Sequence, residues 1–333
     1  MQTNLPTILQ DDFAMSKDLF VLNYKELLRS DIASGQPSDD TLVSYYSAID
    51  SFLAWCAHYN LSPLDLIEQH LKAYRDDLIN KRLKVTSIAF KLTAVRRFYQ
   101  SAMRWHIIGH NPVEYVSSGR DPNADLLGIK YITAGKFEYL INCIDIRDEN
   151  NKIVESRVRD RTIILFMGIE GLRTVEISRM SIEDIDREQQ TILIHGKGHN
   201  NYIFPRPDTF ATLERYLEIK SASIPDQDGA PVFTAVGNRN GNKRITRSGI
   251  RKAVNFWFSK AGIRQTEKDL GLSCHLLRHT CGTLLYQETK DLQLVKETLR
   301  HKDLKMSSRY AHLQDRLLNR YTRAIPIKPP EDL

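Results

Sequence analysis

The sequence is poor in cysteine and has no long apolar run. Only four cysteines occur among 333 residues, and they lack the spacing of a disulfide framework. They are Cys56, Cys143, Cys274 and Cys281. No apolar stretch approaches the roughly 20 residues that cross a bilayer, and the polar, acidic N-terminus does not resemble an export signal. These absences argue against a secreted disulfide scaffold and a membrane protein, and they predict reduced thiols in the cytoplasm.

Acidic residues are missing from two long stretches, residues 78–113 and residues 229–266. The whole chain carries 41 acidic residues and 47 basic ones, so its net charge is modest. The basic residues are nevertheless concentrated in stretches that lack acids. Segregated basic faces are typical of proteins that bind nucleic acid, whereas one run of charge is more often a solvated surface. The side chains of these runs that we predict to contact DNA are Lys84, Lys91, Arg96, Arg97, Arg244, Arg247 and Arg251.

The first third of the chain has a helical pattern. Apolar and aromatic residues recur at helical spacing through residues 16–116, which predicts a bundle of about four helices. Helix starts are predicted at Asp40–Thr41 and at Ser62–Pro63, where a capping residue precedes the apolar pattern. Residues 117–128 are rich in Ser, Gly, Asp and Asn and predict a linker. Residues 1–15 are expected to form a flexible N-terminus.

Residues 129–325 mix helical and strand patterns, which predicts a second domain. Helices are predicted over residues 133–144, 159–169 and 207–221. Short strands are predicted over residues 182–185, 191–194 and 202–204. The predicted fold class is therefore mainly α with two domains: an N-terminal helical bundle and a mixed α+β domain with a small antiparallel sheet. The proline-containing residues 326–333 are expected to be a disordered tail.

Six polar residues of the second domain suit phosphodiester chemistry: Arg173, Lys197, His275, Arg278, His301 and Tyr310. Two arginines can clamp the non-bridging oxygens of one phosphate, a lysine and two histidines can transfer protons, and a tyrosine can attack phosphorus. Glu176, three residues after Arg173, could brace a guanidinium or an imidazole. The sequence contains neither a P-loop nor a carboxylate cluster, so we expect no nucleotide cofactor and no metal.

Each of these residues also has an ordinary structural explanation. Arg173 could be a surface residue paired with a neighbouring acid, and Lys197 lies in a glycine-flanked turn of a kind that collects lysine for solvation. His275 and His279 stand four residues apart with cysteines nearby, which leaves a zinc site open. Tyr321 is a rival to Tyr310 as the nucleophile.

The order of the six polar residues along the sequence resembles that of the tyrosine recombinase (phage integrase) family, of the Xer-like type. The resemblance covers nearly the whole chain. Its segments are GLRTVE at 171–176, HGKGHN at 195–200, HLLRHT at 275–280, LRH at 299–301 and RYAH at 309–312. Two positions depart from the family pattern: Arg300 stands where glycine is frequent, and Glu170 stands where a small polar residue is common.

The resemblance implies a SAM-like core-binding domain followed by a catalytic domain that cuts and rejoins DNA. Tyr310 would attack the scissile phosphate and form a 3′-phosphotyrosyl enzyme with a free 5′-hydroxyl. Both arginines and His301 would stabilise the phosphate, and Lys197 would protonate the leaving 5′-oxygen. His275 would assist proton removal from the tyrosine, with Glu176 in support. The ester conserves the bond energy, so rejoining would need neither metal nor nucleotide.

The resemblance also implies an assembly. We expect a homotetramer on two paired double-stranded DNA sites with inverted core sequences, at the nucleoid, with accessory DNA-bending proteins as further partners. The segment after the tyrosine would contact a neighbouring subunit, and its amphipathic residues Leu313, Leu317, Leu318 and Tyr321 suit either that contact or packing on their own domain. We expect no additional arm-binding domain. Two other functions stay open: a type IB topoisomerase and a non-catalytic DNA-binding regulator.

Overall fold

The computed structural model describes residues 15–30, 32, 37–119, 130–196, 200–221, 229–235, 243–264 and 272–318. The chain divides into an N-terminal unit, residues 1–126, and a C-terminal unit, residues 127–333. Several predictions fall outside the described residues. They concern nearly all of the predicted flexible N-terminus, most of the predicted linker, the predicted tail, Lys197 and the rival nucleophile Tyr321. Among the helices described, none is long and apolar enough to cross a membrane.

Four helices form the described part of the N-terminal unit, as their apolar spacing predicts. They are α1 (Lys17–Arg29), α2 (Asp39–His58), α3 (Glu68–Asn80) and α4 (Val85–Arg104). Their apolar faces enclose a core in which the Phe52 ring lies 5.1 Å from the Tyr74 ring and 6.4 Å from the Phe98 ring. Burial of such faces, more than helix propensity, stabilises helices of this length.

The helix start predicted at Ser62–Pro63 is wrong. A turn forms there instead, because the Asp65 amide donates to the Ser62 carbonyl at 3.2 Å and the Ser62 hydroxyl donates to the Asp65 carboxylate at 2.8 Å. The helix α3 begins only at Glu68, where the preceding amide of Ile67 donates to Nδ1 of His70 at 3.2 Å. The local hydrogen bonds between Ser62 and Asp65 thus form a turn in place of the helix start that the proline position suggested.

Eight α-helices and one small sheet form the described part of the C-terminal unit. The helices are α5 (Ala134–Asn142), α6 (Glu155–Gly168), α7 (Thr174–Arg179), α8 (Pro207–Ser221), α9 (Arg247–Lys260), α10 (His275–Thr289), α11 (Leu292–Thr298) and α12 (Leu304–Leu318). The strands are β1 (Ile185–Asp186), β2 (Thr191–His195) and β3 (Asn200–Ile203). A helical N-terminal unit followed by a mixed unit with one three-stranded antiparallel sheet confirms the predicted fold class.

The sheet has the order β1-β2-β3. Its central pair of strands, β2 and β3, is antiparallel and pairs Ile192 with Ile203 and His195 with Asn200. The strand predicted over residues 182–185 is mostly wrong, since its first three residues form a 3₁₀ helix. The Asp184 carboxylate accepts from the Ser181 amide at 2.8 Å and closes that turn before β1 begins.

The site described below is built around α10. This helix packs against α6 on one side and against α11 and α12 on another. Between α6 and α7 the chain passes through Gly171 with a φ of 65°, a conformation that glycine adopts at little cost. A Cβ at Gly171 would lie 2.5 Å from Cδ2 of Leu299, so the missing side chain also permits close packing. The turn before α7 therefore lies against the segment that follows α11.

Arg96 is positioned to stabilise the N-terminal unit. Its Nη2 donates to the carbonyls of Val113 and Val116 at 3.2 and 3.1 Å. Arg96→Ala should lower the free energy of unfolding by about 1–3 kcal/mol, because it removes two charge-assisted bonds and leaves their acceptors unpaired. Arg97→Ala is the matched control and should change it by less than about 0.5 kcal/mol, since Arg97 is exposed. Urea unfolding followed by circular dichroism measures both; equal effects would contradict the assignment.

Candidate active site

A buried carboxylate organises the turn before α7. Arg173 lies at the N-cap position of this helix and Glu176 at its third residue. The Glu176 side chain is only 1% exposed; Oε2 accepts from the Arg173 amide at 2.7 Å, and Oε1 accepts from Nη1 of Arg173 at 2.7 Å. A glutamate three residues after the N-cap commonly accepts from the N-cap amide in this way. Glu176 thus holds the backbone and the guanidinium of Arg173 together.

A second arginine shares this carboxylate. Nη2 of Arg300 donates to Oε2 of Glu176 at 3.1 Å and to the Gly171 carbonyl at 3.2 Å. Nη1 of Arg300 donates to the Thr298 carbonyl at 2.8 Å, and Nη2 of Arg173 donates to the Arg300 carbonyl at 3.3 Å. In the sequence, Arg300 stands out only as a departure from a glycine pattern, which does not predict its contact with the carboxylate.

Arg278 brings a third guanidinium group into the site from α10. It is buried, and its two Nη atoms donate to the carbonyls of Gly171 and Leu299. Burial lowers the pKa of Arg278 to about 9, and the charges of Arg173 and Arg300 act in the same direction. These interactions show that the three arginines lie close enough to repel one another. The arrangement favours a bound anion, since an anion would relieve that repulsion.

Tyr310 lies on α12 and points into the C-terminal unit. It is 2% exposed and packs with Cys281, Val295 and Leu299. Gly282 on α10 makes room for it, because a Cβ at that position would lie 2.7 Å from Cζ of the tyrosine. Burial raises the pKa of Tyr310 to about 12. The hydroxyl is therefore protonated at neutral pH and must lose its proton to act as a nucleophile.

Two histidines contact Tyr310 from different sides. Nδ1 of His279 lies 3.2 Å from the tyrosine hydroxyl, within hydrogen-bonding distance. The His301 ring lies parallel to the tyrosine ring at 6.3 Å, and its Nδ1 bonds to the Ser307 hydroxyl at 2.8 Å. The pKa of each of these imidazoles is lowered to about 4, first by burial and then by nearby positive charge. Both rings are therefore neutral at physiological pH.

His275 is the first residue of α10. Its pKa is lowered by desolvation and by the charges of Arg278, Arg251 and Arg173. The imidazole therefore lies near both arginines that the sequence analysis selected. The imidazole that bonds to the Tyr310 hydroxyl is nevertheless that of His279, which the sequence analysis considered only as a zinc ligand.

The structure thus brings together five of the six residues that the sequence analysis selected for catalysis. Arg173, His275, Arg278, His301 and Tyr310 surround one region of the C-terminal unit. Glu176 supports it as expected, by holding Arg173. Their individual roles remain predictions.

Lys197, the sixth residue, falls outside the described part of the chain. Two contacts hold the preceding residues, His195 and Gly196. Nε2 of His195 lies 2.6 Å from the buried carboxylate of Asp184, and Nη1 of Arg179 donates to the Gly196 carbonyl at 3.0 Å. These contacts hold the C-terminal end of β2.

The residues predicted to contact DNA have different surroundings. Lys84, Arg97 and Arg251 are exposed, while Nζ of the partly buried Lys91 donates to the Ser51 hydroxyl at 3.0 Å. Arg244 is held by the carbonyls of Ser178 and Met180 and by the Ser181 hydroxyl. Arg247 is partly buried in the first turn of α9. Arg244 and Arg96 thus also stabilise the fold, and DNA contact by all seven remains a prediction.

The alternative of a zinc site finds no support in this geometry. The Sγ of Cys281 donates to the Ile169 carbonyl at 3.0 Å, on a different side of α10 from the Tyr310 hydroxyl that bonds to His279. Over the described residues, no three His, Cys, Asp or Glu side chains come together as metal ligands.

Comparison with known proteins identifies the family. Residues 134–316 match the phage integrase family, and residues 24–106 match the SAM-like N-terminal domain of phage integrases. The chain belongs to the phage integrase family. The matched catalytic segment contains Arg173, Arg278 and Tyr310, so the resemblance inferred from the sequence is confirmed.

Relatives of this phage integrase family member include Xer recombinases. Tyrosine recombinase XerD of Staphylococcus epidermidis is 26% identical over 294 residues, which cover 87% of this chain and 93% of the relative. Tyrosine recombinase XerC of Bacillus subtilis is 26% identical over 284 residues, covering 84% and 88%. Both alignments span the two units described here.

Two solved structures share the fold of this family member. The XerH site-specific recombinase bound to palindromic difH substrate, in a post-cleavage complex, has a TM-score of 0.71 at 19% identity and covers 94% of this chain and 98% of its own. A lambda integrase tetramer bound to a Holliday junction has a TM-score of 0.61 at 15% identity, covering 93% and 81%. At these identities the likeness shows the fold.

The lowered pKa values of His279 and His301 can be tested without DNA. Both imidazoles should stay neutral at pH 6 and take up a proton only near pH 4, because burial and positive charge oppose protonation. Unfolded histidines titrate near 6.5, so their contribution to stability should be lost as the pH falls from about 6.5 to about 4. Nuclear magnetic resonance of the imidazole C–H signals, assigned with His279→Gln and His301→Gln, measures this. Titration of both near pH 6.5 would contradict it.

Proposed function

We propose that this protein is a site-specific DNA recombinase that cuts and rejoins DNA through a covalent bond between Tyr310 and a 3′-phosphate. The observation that carries the proposal is the arrangement around the tyrosine. Its hydroxyl bonds to a neutral imidazole, and three guanidinium groups lie nearby in a largely buried site. Membership of the phage integrase family supports the same reaction.

The chemical step is a transesterification, in which the phosphate ester passes from the 5′-oxygen of DNA to the oxygen of Tyr310. The Tyr310 oxygen forms a bond to phosphorus while the bond from phosphorus to the 5′-oxygen breaks, and the tyrosine proton leaves to a base. Lys197 gives a proton to the departing 5′-oxygen. The reverse reaction, with a 5′-hydroxyl of another strand, regenerates the free tyrosine and a rejoined backbone. Bond energy is stored in the phosphotyrosine, so strand exchange requires no nucleotide hydrolysis.

Electrostatic stabilisation comes from the arginines. Arg173 and Arg278 contact the non-bridging oxygens, where negative charge increases in the transition state, and His301 bonds to one of them. Tyr310 is 2% exposed, so we propose that α12 shifts relative to α10 when DNA binds and lets the tyrosine oxygen reach phosphorus. The neutral His279 is well suited to accept a bond from this hydroxyl and to keep it oriented.

The assembly we propose is a homotetramer on two paired duplexes with inverted core sites. The lambda integrase structure with which this chain shares its fold is a tetramer on a Holliday junction, and XerH is bound to a palindromic site. We expect the C-terminal segment with Leu313, Leu317, Leu318 and Tyr321, whose side chains lie outside the described part of the structure, to contact a neighbouring subunit in this assembly. The protein acts at the nucleoid in the cytoplasm, with DNA-bending proteins as accessory partners.

Tyr310→Phe tests the nucleophile. The protein is incubated with a pool of duplexes of randomised sequence, each with a single nick that lets the cleaved end diffuse away and traps the adduct. The wild-type protein should form a covalent complex that survives detergent electrophoresis, and sequencing of its DNA identifies the site. Tyr310→Phe should bind the selected duplex but form no adduct, because the attacking oxygen is missing. A detergent-stable adduct with this variant would identify another nucleophile.

The same selected duplex distinguishes recombination from DNA relaxation. Two circles that carry the site should exchange strands if the protein is a recombinase. Relaxation of supercoils without exchanged products would instead show a type IB topoisomerase.

A histidine comparison identifies the group that acts on the tyrosine. His279→Ala should slow adduct formation on the order of 10²-fold, because the hydroxyl loses its hydrogen-bonding partner. His110→Ala is the control, since His110 is exposed in the N-terminal unit, and it should keep the wild-type rate. Single-turnover measurement with the selected duplex compares these with His275→Ala. A normal rate for His279→Ala with a slow His275→Ala would return the role to His275.

A further inference from the structure

Arg300 occupies a backbone position that suits glycine better than arginine. Its φ is 51°, in the left-handed region that side chains with a Cβ rarely adopt. Glycine would occupy this conformation without steric cost. An arginine here therefore needs compensating interactions from the rest of the site.

Those interactions are made by the Arg300 guanidinium. The side chain is 8% exposed, and its Nη atoms donate to the carbonyls of Thr298 and Gly171 and to the carboxylate of Glu176. Nη2 of Arg300 lies 3.1 Å from Oε2 of Glu176, although the two residues are 124 positions apart in the sequence. Arg300 is thus part of the site rather than a surface residue beside it.

Arg300 is connected to Arg173 by two routes. Its carbonyl accepts from Nη2 of Arg173 at 3.3 Å. Its guanidinium also bonds to Oε2 of Glu176, the same oxygen that accepts from the Arg173 amide. The other oxygen of this carboxylate accepts from Nη1 of Arg173. The Glu176 carboxylate, the guanidinium groups of Arg173 and Arg300 and the backbone of both arginines therefore form one hydrogen-bonded network.

We propose that Arg300 is a positioning residue that fixes the Glu176 carboxylate, and through it the guanidinium of Arg173, towards the scissile phosphate. The inference rests on the proposed recombinase function and adds a residue specific to this chain, since glycine is frequent at this position in the family pattern. Arg300 acts through Glu176 and Arg173.

The charges around Glu176 predict that loss of Arg300 would change the pKa of this carboxyl. Burial raises the pKa of this carboxyl, and the charge of Arg300 is the largest influence that lowers it, followed by bonds and charge from Arg173. The charge of Arg278, from α10, also interacts with the carboxylate. The net result is a lowered pKa. Without Arg300 the carboxyl would take up a proton at higher pH, and Arg173 would lose its salt bridge there.

The test uses Arg300→Gly, which the backbone conformation should tolerate. The rate of adduct formation on the selected duplex is measured in single turnover across the pH range. Arg300→Gly should react about tenfold more slowly at its optimum, since Arg173 loses its fixed orientation. The acidic limb of its pH profile should move up by about one pH unit or more. Arg300→Lys retains the charge and should keep the acidic limb of the wild type, whereas Arg300→Met should behave like Arg300→Gly.

A second measurement does not depend on DNA. The carboxyl carbon resonance of Glu176, assigned with Glu176→Gln, should titrate at higher pH in Arg300→Gly than in the wild type. An unchanged titration, or a wild-type rate and pH profile for Arg300→Gly, would overturn the role of Arg300. Absence of any adduct with the wild-type protein would instead refute the proposed function, so the two failures can be told apart.

Discussion

The site depends on one buried carboxylate that is shared by two arginines. Glu176 is almost completely enclosed, and it bonds to the backbone and guanidinium of Arg173 and to the guanidinium of Arg300. Arg278 adds a further positive charge but is bonded to two backbone carbonyls. Three guanidinium groups thus lie around one carboxylate, and within the described residues the positive charge exceeds the negative charge there. Like charges in a desolvated region repel strongly, so this arrangement is best stabilised by an additional anion.

This excess of positive charge determines the state of the neighbouring groups. Together with burial, it keeps the imidazoles of His279 and His301 neutral and lowers the pKa of Arg278. A neutral imidazole can accept a hydrogen bond from the tyrosine hydroxyl, whereas an imidazolium cannot. Binding of a phosphodiester would reduce the local positive charge and make protonation of these imidazoles easier. The scissile phosphate would therefore also raise the pKa of these imidazoles.

Sequence reasoning could predict most of the catalytic set because its members are short local patterns. Arg173 and Glu176 are three residues apart at the start of α7, and His275 and Arg278 are three residues apart in the first turn of α10. The contact between His279 and Tyr310 joins residues 31 apart on two helices, and helical spacing does not reveal how these helices pack. Arg300 was recognised only as a replacement for glycine, since its contacts depend on a left-handed backbone conformation. The false helix start at Ser62–Pro63 has a similar cause, because local hydrogen bonds between Ser62 and Asp65 form a turn there.

The most direct test of this electrostatic account is to supply an anion and follow the pKa of His301. Inorganic phosphate is titrated into the DNA-free protein while the imidazole resonances are recorded, with potassium chloride at equal ionic strength as the control. The account predicts that phosphate raises the pKa of His301 from about 4, by more than chloride does, because it neutralises the charges of Arg278 and Arg173. An identical pKa in phosphate and in chloride would contradict the claim that these arginines form an anion site.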